Sequence, residues 1–528
     1  MTVFKSMTVF KSRFSDITLQ KLSVSERVFQ GLSGRPNEPV LIDGPTGRSL
    51  NGSETIDQIK RLAGGLNSKG LGAGKVMGIM APNIPEYAIA FYGMLHAGGT
   101  VTTINPSYTA VEVNHQLQDA KTDLLVTTLD FLKTAQAAVD ECNREVKIAI
   151  IDKMDGIPCL NDLMGNPQHE QTPIDLEKHV AALPYSSGTT GLPKGVMLSH
   201  QNLVANIDQF LTMLPTSPGE AAVVFLPLFH IYGLNALLSP YLASGGCIVT
   251  MPRFDFDLYL KLVAQYKTPK LWTAPPVALG LTQHPAIDHA DLSSVQVLFS
   301  AAAPLPDDVG AACASRLGCI VTQGYGMTEL SPASHLTPPE LARAGAVGLT
   351  VPSTETRIIN PETGESVGHN QEGEVQVRGP QVMLGYLNNP QATAEAIIDK
   401  GWLRTGDLGF VDEDGYLYIR DRLKELIKFK GFQVAPAEVE NALLSHSGIA
   451  DAAVIGIPDT EAGELPCAYV VKKPQHQVSI EDLSDHVSGR LASYKRPAKI
   501  SFVESIPKSA SGKILRRVLK AQALSGDL

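Results

Sequence analysis

The residues best equipped for chemistry cluster in one short stretch, Tyr185 to Gly195, "YSSGTTGLPKG". Ser186, Ser187, Thr189 and Thr190 bring four hydroxyls within five residues. Gly188, Gly191 and Gly195 let backbone N–H groups approach an anion closely. Lys194 adds a cation. Such a set suits the phosphates of a nucleotide. It is not the familiar phosphate loop, G-x-x-x-x-G-K-[ST], because Lys194 follows a proline and precedes a glycine. A Ser/Gly run is ordinarily a surface loop. The apolar run "VMLSH" directly after it favours triphosphate binding instead.

Other candidates lie far away in the chain. Glu329 in "GYGMTE" offers a carboxylate that could hold Mg2+ against the phosphates of ATP. Beside it, Thr328 could donate to a phosphate and Tyr325 could lie flat on a base; the bland alternative is a turn with its aromatic packed inward. Asp407 in "RTGDLG" can accept two hydrogen bonds at once, which matches a ribose diol, although Asp after Thr-Gly is also a common turn residue. His230 stands in a segment, Ala221 to Pro252, without a single Asp, Glu, Lys or Arg. A lone His there is more often a satisfied core residue than a catalytic one.

Five stretches together carry a resemblance. "YSSGTTGLPKGVMLSH" (185–200), "QGYGMTE" (323–329), "GWLRTGDLG" (401–409), "DRLKELIKFKGFQVAPAEVE" (421–440) and "PKSASGKILRR" (508–517) resemble the motifs of the adenylate-forming superfamily, in that family's order. The superfamily comprises acyl-CoA synthetases, peptide-synthetase adenylation domains and luciferases. The likeness covers nearly the whole chain. On "PLFHIYGLN" (227–235) and "KGFQVAPAE" (430–438) it is most similar to 4-coumarate:CoA ligase and its relatives.

The resemblance implies a reaction in which a carboxylate attacks the α-phosphate of ATP, giving acyl-AMP and pyrophosphate. Coenzyme A then displaces AMP. The opening loop would hold the departing β- and γ-phosphates, so it needs no Ser/Thr for magnesium. The resemblance assigns Gln323, Gly324, Tyr325, Gly326 and Thr328 to the nucleotide, with Ala302, Ala303 and Pro304 lining adenine. Asp407 and Arg422 take the ribose, and Glu329 holds Mg2+. It makes Lys513 the lysine that neutralises charge at the α-phosphate, where the bland alternative is a solvated lysine before a basic helix. His230 gates the acid. Asp421 and Lys424 match a hinge, about which Lys428 and Gln433 swing in for the second step. Lys430 and Gly431 flank the pantetheine tunnel. Ile231, Tyr232, Ala236, Phe299, Ala302, Gly326, Pro332 and Ala333 line the acyl pocket. Phe299 and Ala236 stand where plant 4-coumarate ligases often carry Lys and Ser. Both remove partners for a ring hydroxyl, and unpaired buried polar groups are costly. An aromatic acid of the cinnamate type is expected, with a medium-chain fatty acid as the alternative. A luciferase-like oxygenase, a stand-alone adenylation enzyme serving a carrier protein, and a non-catalytic nucleotide-binding protein are the further rivals.

These residues need a scaffold. The first part of the chain reads as strands alternating with helices, which implies a mostly parallel sheet covered on both faces. Ser53-Glu54 is expected to cap a helix with Ile56, Ile59, Leu62, Ala63 and Leu66 inward. "GLGAGK" (70–75) precedes the strand "VMGIM" instead of following one, so it is no dinucleotide fingerprint. The charge-free segment 221–252, broken by Pro and Gly, reads as buried strand–helix–strand, not a membrane span. Near 350 the pattern changes to alternating apolar and polar residues, the mark of antiparallel strands. We expect an α/β fold. Its large N-terminal domain (1–421) has layered α/β subdomains and a β-rich subdomain at about 350–421. A small mobile α+β domain (422–528) follows and carries Lys513.

The totals are ordinary for a soluble globular protein. The chain has 528 residues with 44% hydrophobic content, 44 basic and 54 acidic side chains, and a net charge of -10. That balance argues against a nucleic-acid coat or a polybasic membrane anchor. The six cysteines are scattered, which reads as reduced thiols rather than metal sites or disulfides. The N-terminus reads as having no apolar signal core; it carries a directly repeated "MTVFKS" (1–6, 7–12), read as a start-site oddity and not as structure, and the last three residues do not read as a peroxisomal signal. A cytoplasmic location is expected.

Overall fold

The computed structural model describes residues 8–186, 193–430, 432–459, 461–474, 476–509 and 512–526, with Gln433 described by its backbone. It has the expected mixed α/β architecture. One sheet runs in the order Gly385–Tyr386, Lys194–Ser199, Val180–Ala182, Thr100–Thr103, Val76–Met80, Leu124–Thr127 and Lys147–Ile150. Its centre is parallel, from Thr100–Thr103 across Val76–Met80 to Lys147–Ile150. The middle strands, Val76–Met80 and Leu124–Thr127, are buried on both faces because helices cover both. The helix Pro85–His96 is buried on every side, its proline in the first turn. The neighbouring helix Gly52–Ser68 is capped by Asn51, not by Ser53. The Asn51 side chain accepts from the Glu54 N–H at 2.8 Å, while Glu54 accepts from the Asn51 N–H at 2.9 Å. The cap shifts because Asn51 is the last extended residue, and Glu54 then falls three positions later, where the reciprocal bond closes.

A second sheet joins parallel and antiparallel parts. Lys270–Thr273, Val297–Ser300 and Ile320–Gly326 are parallel; from Ala333–Leu336 onward the pairing is antiparallel, through Gly348–Thr350, Tyr416–Arg422, Trp402–Val411, Gly373–Arg378 and Glu355–Ile359 to Phe10–Lys11. The strands around 355–422 are thus hydrogen-bonded, through one sheet, to the strand that ends at Tyr325 and Gly326. The charge-free segment folds as strand Ala221–Val224, helical turns Gly233–Leu238 and Ser239–Ala243, then strand Cys247–Thr250. Among the described residues no helix is long and apolar enough to cross a membrane.

After Arg422 the chain builds a separate sheet, Phe432–Val434, Ile427–Phe429, Gly463–Lys472 and Ile449–Asp459, with Lys499–Phe502 parallel to Gly463–Lys472. One face packs Val439, Leu443, Leu483 and Val487 from two helices. The other packs Leu519 and Ile506. Two buried faces give this unit cores of its own.

Candidate active site

The phosphate end is built around a loop whose middle, Ser187, Gly188, Thr189, Thr190 and Gly191, lies outside the described residues. Its two ends are held together: Ser186 pairs with Lys194 across a short ladder, and Tyr185 with Gly195. Gly195 packs tightly there: a Cβ would sit 3.1 Å from the Tyr185 ring and 3.2 Å from Leu387. The Tyr185 hydroxyl is tied to Asp119 at 2.7 Å. Lys194 Nζ stands 4.7 Å above the centroid of the Tyr386 ring. Tyr386 in turn donates to Glu329 Oε1 at 2.9 Å, and Ser186 Oγ donates to the same oxygen at 3.1 Å. Glu329, on the turn Thr328–Leu330, is buried and leaves Oε2 without a hydrogen-bond partner among the described residues. Sequence reading missed Tyr386; "GYLNNP" looks like an ordinary strand end and turn.

The nucleoside end is assembled from the strand Ile320–Gly326 and from two strands of the antiparallel part. Asp407 and Arg422 face each other across adjacent strands, with Nε 3.3 Å from Oδ1. The Tyr325 hydroxyl donates to Asp407 Oδ2 at 2.5 Å. Burial raises the Asp407 carboxyl above its ordinary range, opposed by the Arg422 charge. Gln323 accepts from the Leu305 N–H at 3.2 Å and so fixes the turn that presents Ala302, Ala303 and Pro304. Ala302 holds a positive φ of 75° at an exposed position. At Gly324 a Cβ would come 2.5 Å from the Phe299 ring. The strand is therefore flush against that aromatic.

The acid end centres on His230. Its Nδ1 accepts from the Tyr232 N–H at 3.2 Å, which leaves the neutral ring's proton on Nε2. Burial, aided by the nearby positive charge of Lys513, pushes its pKa down to about 4. Of the residues expected to line the acyl pocket, Ile231, Ala236, Phe299, Pro332 and Ala333 are buried, and Gly326 lies exposed at the strand end. Tyr232 turns its hydroxyl to the Thr273 carbonyl at 3.2 Å, so its ring forms wall while its polar end is occupied. Phe299 packs on Trp272, centroids 4.9 Å apart. Trp272 was not singled out from sequence. Asn235 is fully buried and donates to the Ser331 and Leu203 carbonyls at 2.7 and 3.1 Å.

The C-terminal unit contributes Lys513. Its loop is pinned by Ser509, whose N–H donates to the Lys513 carbonyl at 2.8 Å and whose Oγ accepts from the Lys513 N–H at 3.1 Å. Gly512, at φ 83°, abuts Pro276 of the large unit. Lys513 lies among Arg422, Glu425, Asp407 and Arg516. Burial, reinforced by the Arg422 charge, lowers its pKa to about 8. Arg516, three residues on, binds Glu425 at 2.6 Å and both Glu440 oxygens at 2.7 Å, fixing the helix start behind the lysine. Asp421 is buried and accepts from the Arg422 and Ala437 N–H groups at 2.7 and 2.8 Å. Lys424 is exposed.

Lys428 lies apart from these groups. It is exposed on Ile427–Phe429, opposite Gln433 in the ladder, and its N–H donates to Glu464 at 3.1 Å. Lys430 sits at the hairpin turn with φ 48°, its ammonium 5.6 Å from the Phe429 ring centroid. Gly431 lies outside the described residues. The structure thus links Ser186 and Lys194 to Glu329, sets Tyr325, Asp407, Arg422, Lys513 and His230 near one another, and leaves Lys428 and Lys430 exposed on the hairpin.

Residues 28–387 match the family model for AMP-binding enzymes, and residues 438–513 match the model for the C-terminal domain of AMP-binding enzymes. The chain is 39% identical over 541 residues to probable 4-coumarate--CoA ligase 2 of Dictyostelium discoideum, covering 98% of each. It is also 39% identical to 4-coumarate--CoA ligase 1 of Petroselinum crispum, over 99% of this chain and 98% of the relative. Among solved structures, an anthranilate CoA ligase in complex with anthranoyl-AMP superposes with a TM-score of 0.88 at 25% identity, covering 97% of this chain and 99% of that one.

Proposed function

The chain belongs to the AMP-binding enzyme family, and from that premise we propose that it is an ATP-dependent, AMP-forming acid:CoA ligase acting on an aromatic acid of the cinnamate type. The carrying observation is the convergence of Lys513, His230 and the Asp407–Arg422 pair, with Lys194 and Glu329 at the far end.

Neutral His230 can donate from Nε2 to the incoming carboxylate without adding a full charge beside Lys513. Lys194 and the loop from Ser186 hold the β- and γ-phosphates. A carboxylate oxygen attacks the α-phosphorus, the bond to the bridging oxygen breaks, and pyrophosphate leaves. Lys513, protonated for the most part at neutral pH, offsets the charge that gathers on the α-phosphate. Asp407, steadied by Tyr325 and Arg422, accepts from the ribose hydroxyls. In the second step the CoA sulfur attacks the acyl carbon, the bond to the AMP oxygen breaks, and AMP leaves. Lys428 and Gln433 serve that step once the C-terminal unit has turned about Asp421 and Lys424.

Mg2+ fits this site on the chemistry of its donor. Glu329 is a hard oxygen ligand with one oxygen steadied by two hydroxyls and the other uncommitted. Among the described residues there is no group of three or more His, Cys, Asp or Glu able to hold a metal. Glu329 and the substrate phosphates would therefore share the ion, which when bound screens the phosphate charge.

The test is direct. The protein is incubated with ATP, Mg2+ and CoA and a panel of cinnamic, benzoic and medium-chain fatty acids, and AMP and thioester are measured. Thioester with cinnamic-type acids is the expected result. Fatty acids alone would replace the aromatic substrate, and no AMP with any acid would overturn the reading.

A further inference from the structure

The helix His200–Met213 does more than pack. Three of its amide side chains, spaced along one face, grip the backbone of three distant segments. Asn202 donates to the Pro380 and Val382 carbonyls at 2.8 and 2.9 Å. Gln209 donates to the Pro352 carbonyl at 2.8 Å. Between them Asn206, wholly buried, engages Ala333 on both sides. Its Nδ2 donates to the Ala333 carbonyl at 2.8 Å, and its Oδ1 accepts from the Ala333 N–H at 3.1 Å. The second Nδ2 hydrogen goes to Gln209 at 2.8 Å. The amide thus copies the pairing a neighbouring strand would supply, on the open side of Ala333, whose other side is paired with Gly326 next to a bulge in the ladder.

We propose that Asn206 is a positioning residue for the acid-binding wall, setting through the Ala333 backbone how much room the distal end of the acid finds. The inference rests on the functional reading above, in which Pro332 and Ala333 line that pocket. Gly326 faces this wall so tightly that a Cβ there would lie 2.0 Å from the Pro332 carbonyl. The Met327 N–H closes on that same carbonyl at 2.9 Å. Asn235 holds the preceding residue, Ser331, by its carbonyl. Replacing Asn206 by an apolar side chain would leave the Ala333 N–H and C=O buried and unpaired. The wall would then shift to find partners. Side-chain chemistry within the pocket would be unchanged, but its width would not.

The experiment compares Asn206→Leu with the milder Asn206→Ser in the full chain. Two acids accepted by the wild type are used that differ only at the end far from the carboxylate, such as cinnamic and 4-hydroxycinnamic acid, or hexanoic and octanoic acid. The readout is the ratio of their kcat/KM values for pyrophosphate release, which is independent of the fraction of folded enzyme. A change in that ratio of about fivefold or more is expected, the scale on which a pocket discriminates one small group. The KM for ATP should stay within about twofold in Asn206→Ser. An unchanged ratio in both variants, or in the serine variant alone should the leucine one not fold, would overturn the inference even if overall activity fell. A wild type that releases no pyrophosphate with any acid would instead overturn the functional reading.

Discussion

Lys513 and Lys428 belong to the same C-terminal unit and carry the same charge, yet their surroundings are opposite. Lys513 lies in the cleft among Arg422, Glu425 and Asp407, and its pKa is pulled down to about 8. Lys428 stands exposed on a hairpin away from the other site residues. This arrangement of the two units therefore sets Lys513, proposed for the first half-reaction, beside Asp407 and Arg422, and leaves Lys428, proposed for the second, exposed. The difference teaches that burial, not residue type, decides which lysine is poised at a given moment.

The largest break in this contrast should come from Lys513→Ala. Loss of one preorganised donor costs about 3 kcal/mol, roughly 100-fold or more in the rate of acyl-AMP formation. Thioester formation from preformed acyl-AMP should largely survive, and equal loss in both assays would refute the division of labour. Lys428→Ala should show the mirror image, losing about 10-fold or more in the thioester step as a charged contact is removed, with adenylation near wild type. Lys424→Pro, which stiffens the hinge, should spare one half-reaction and block the other. Changing the pH sharpens the same contrast. A lysine with a lowered pKa loses its proton as pH rises through that value, so kcat/KM for adenylation should fall about tenfold per unit above pH 8. His230 is neutral throughout that range and should add no limb near pH 6. The smallest effect is expected from Tyr386→Phe. It removes one hydrogen bond to Glu329 but keeps the ring under Lys194, so the KM for ATP and the Mg2+ needed for half-maximal rate should rise about 3- to 10-fold.

Much of the scaffold is legible because its cause is local. "VMGIM" is apolar throughout and becomes a strand buried in the middle of a sheet. "GEVQVRG" alternates and becomes an antiparallel strand. Even the misplaced cap at Ser53 erred by two residues, since both Asn51 and Ser53 are good capping types and only the backbone angles choose between them. The site is legible to a different degree at its two ends. Lys194 and Ser186, or Asp407 and its turn, announce themselves through short stretches whose composition is unusual. Tyr386, Trp272, Asn206 and Asn235 do not. Each is an ordinary residue in an ordinary stretch, and each matters through a partner more than twenty-five positions away.

What the sequence determined by itself was the nucleotide chemistry. Hydroxyls, glycines and a lysine within one loop can meet phosphate wherever the rest of the chain lies, because the recognising groups are covalent neighbours. The tertiary structure alone decided that Tyr386 bridges Lys194 and Glu329, that Lys513 and not Lys428 lies beside Asp407 and Arg422, and that a buried amide on a distant helix holds the Ala333 backbone. Those are contacts between groups far apart in the chain. Their pKa values, orientations and spacing come from burial and packing, which no local pattern of residues encodes.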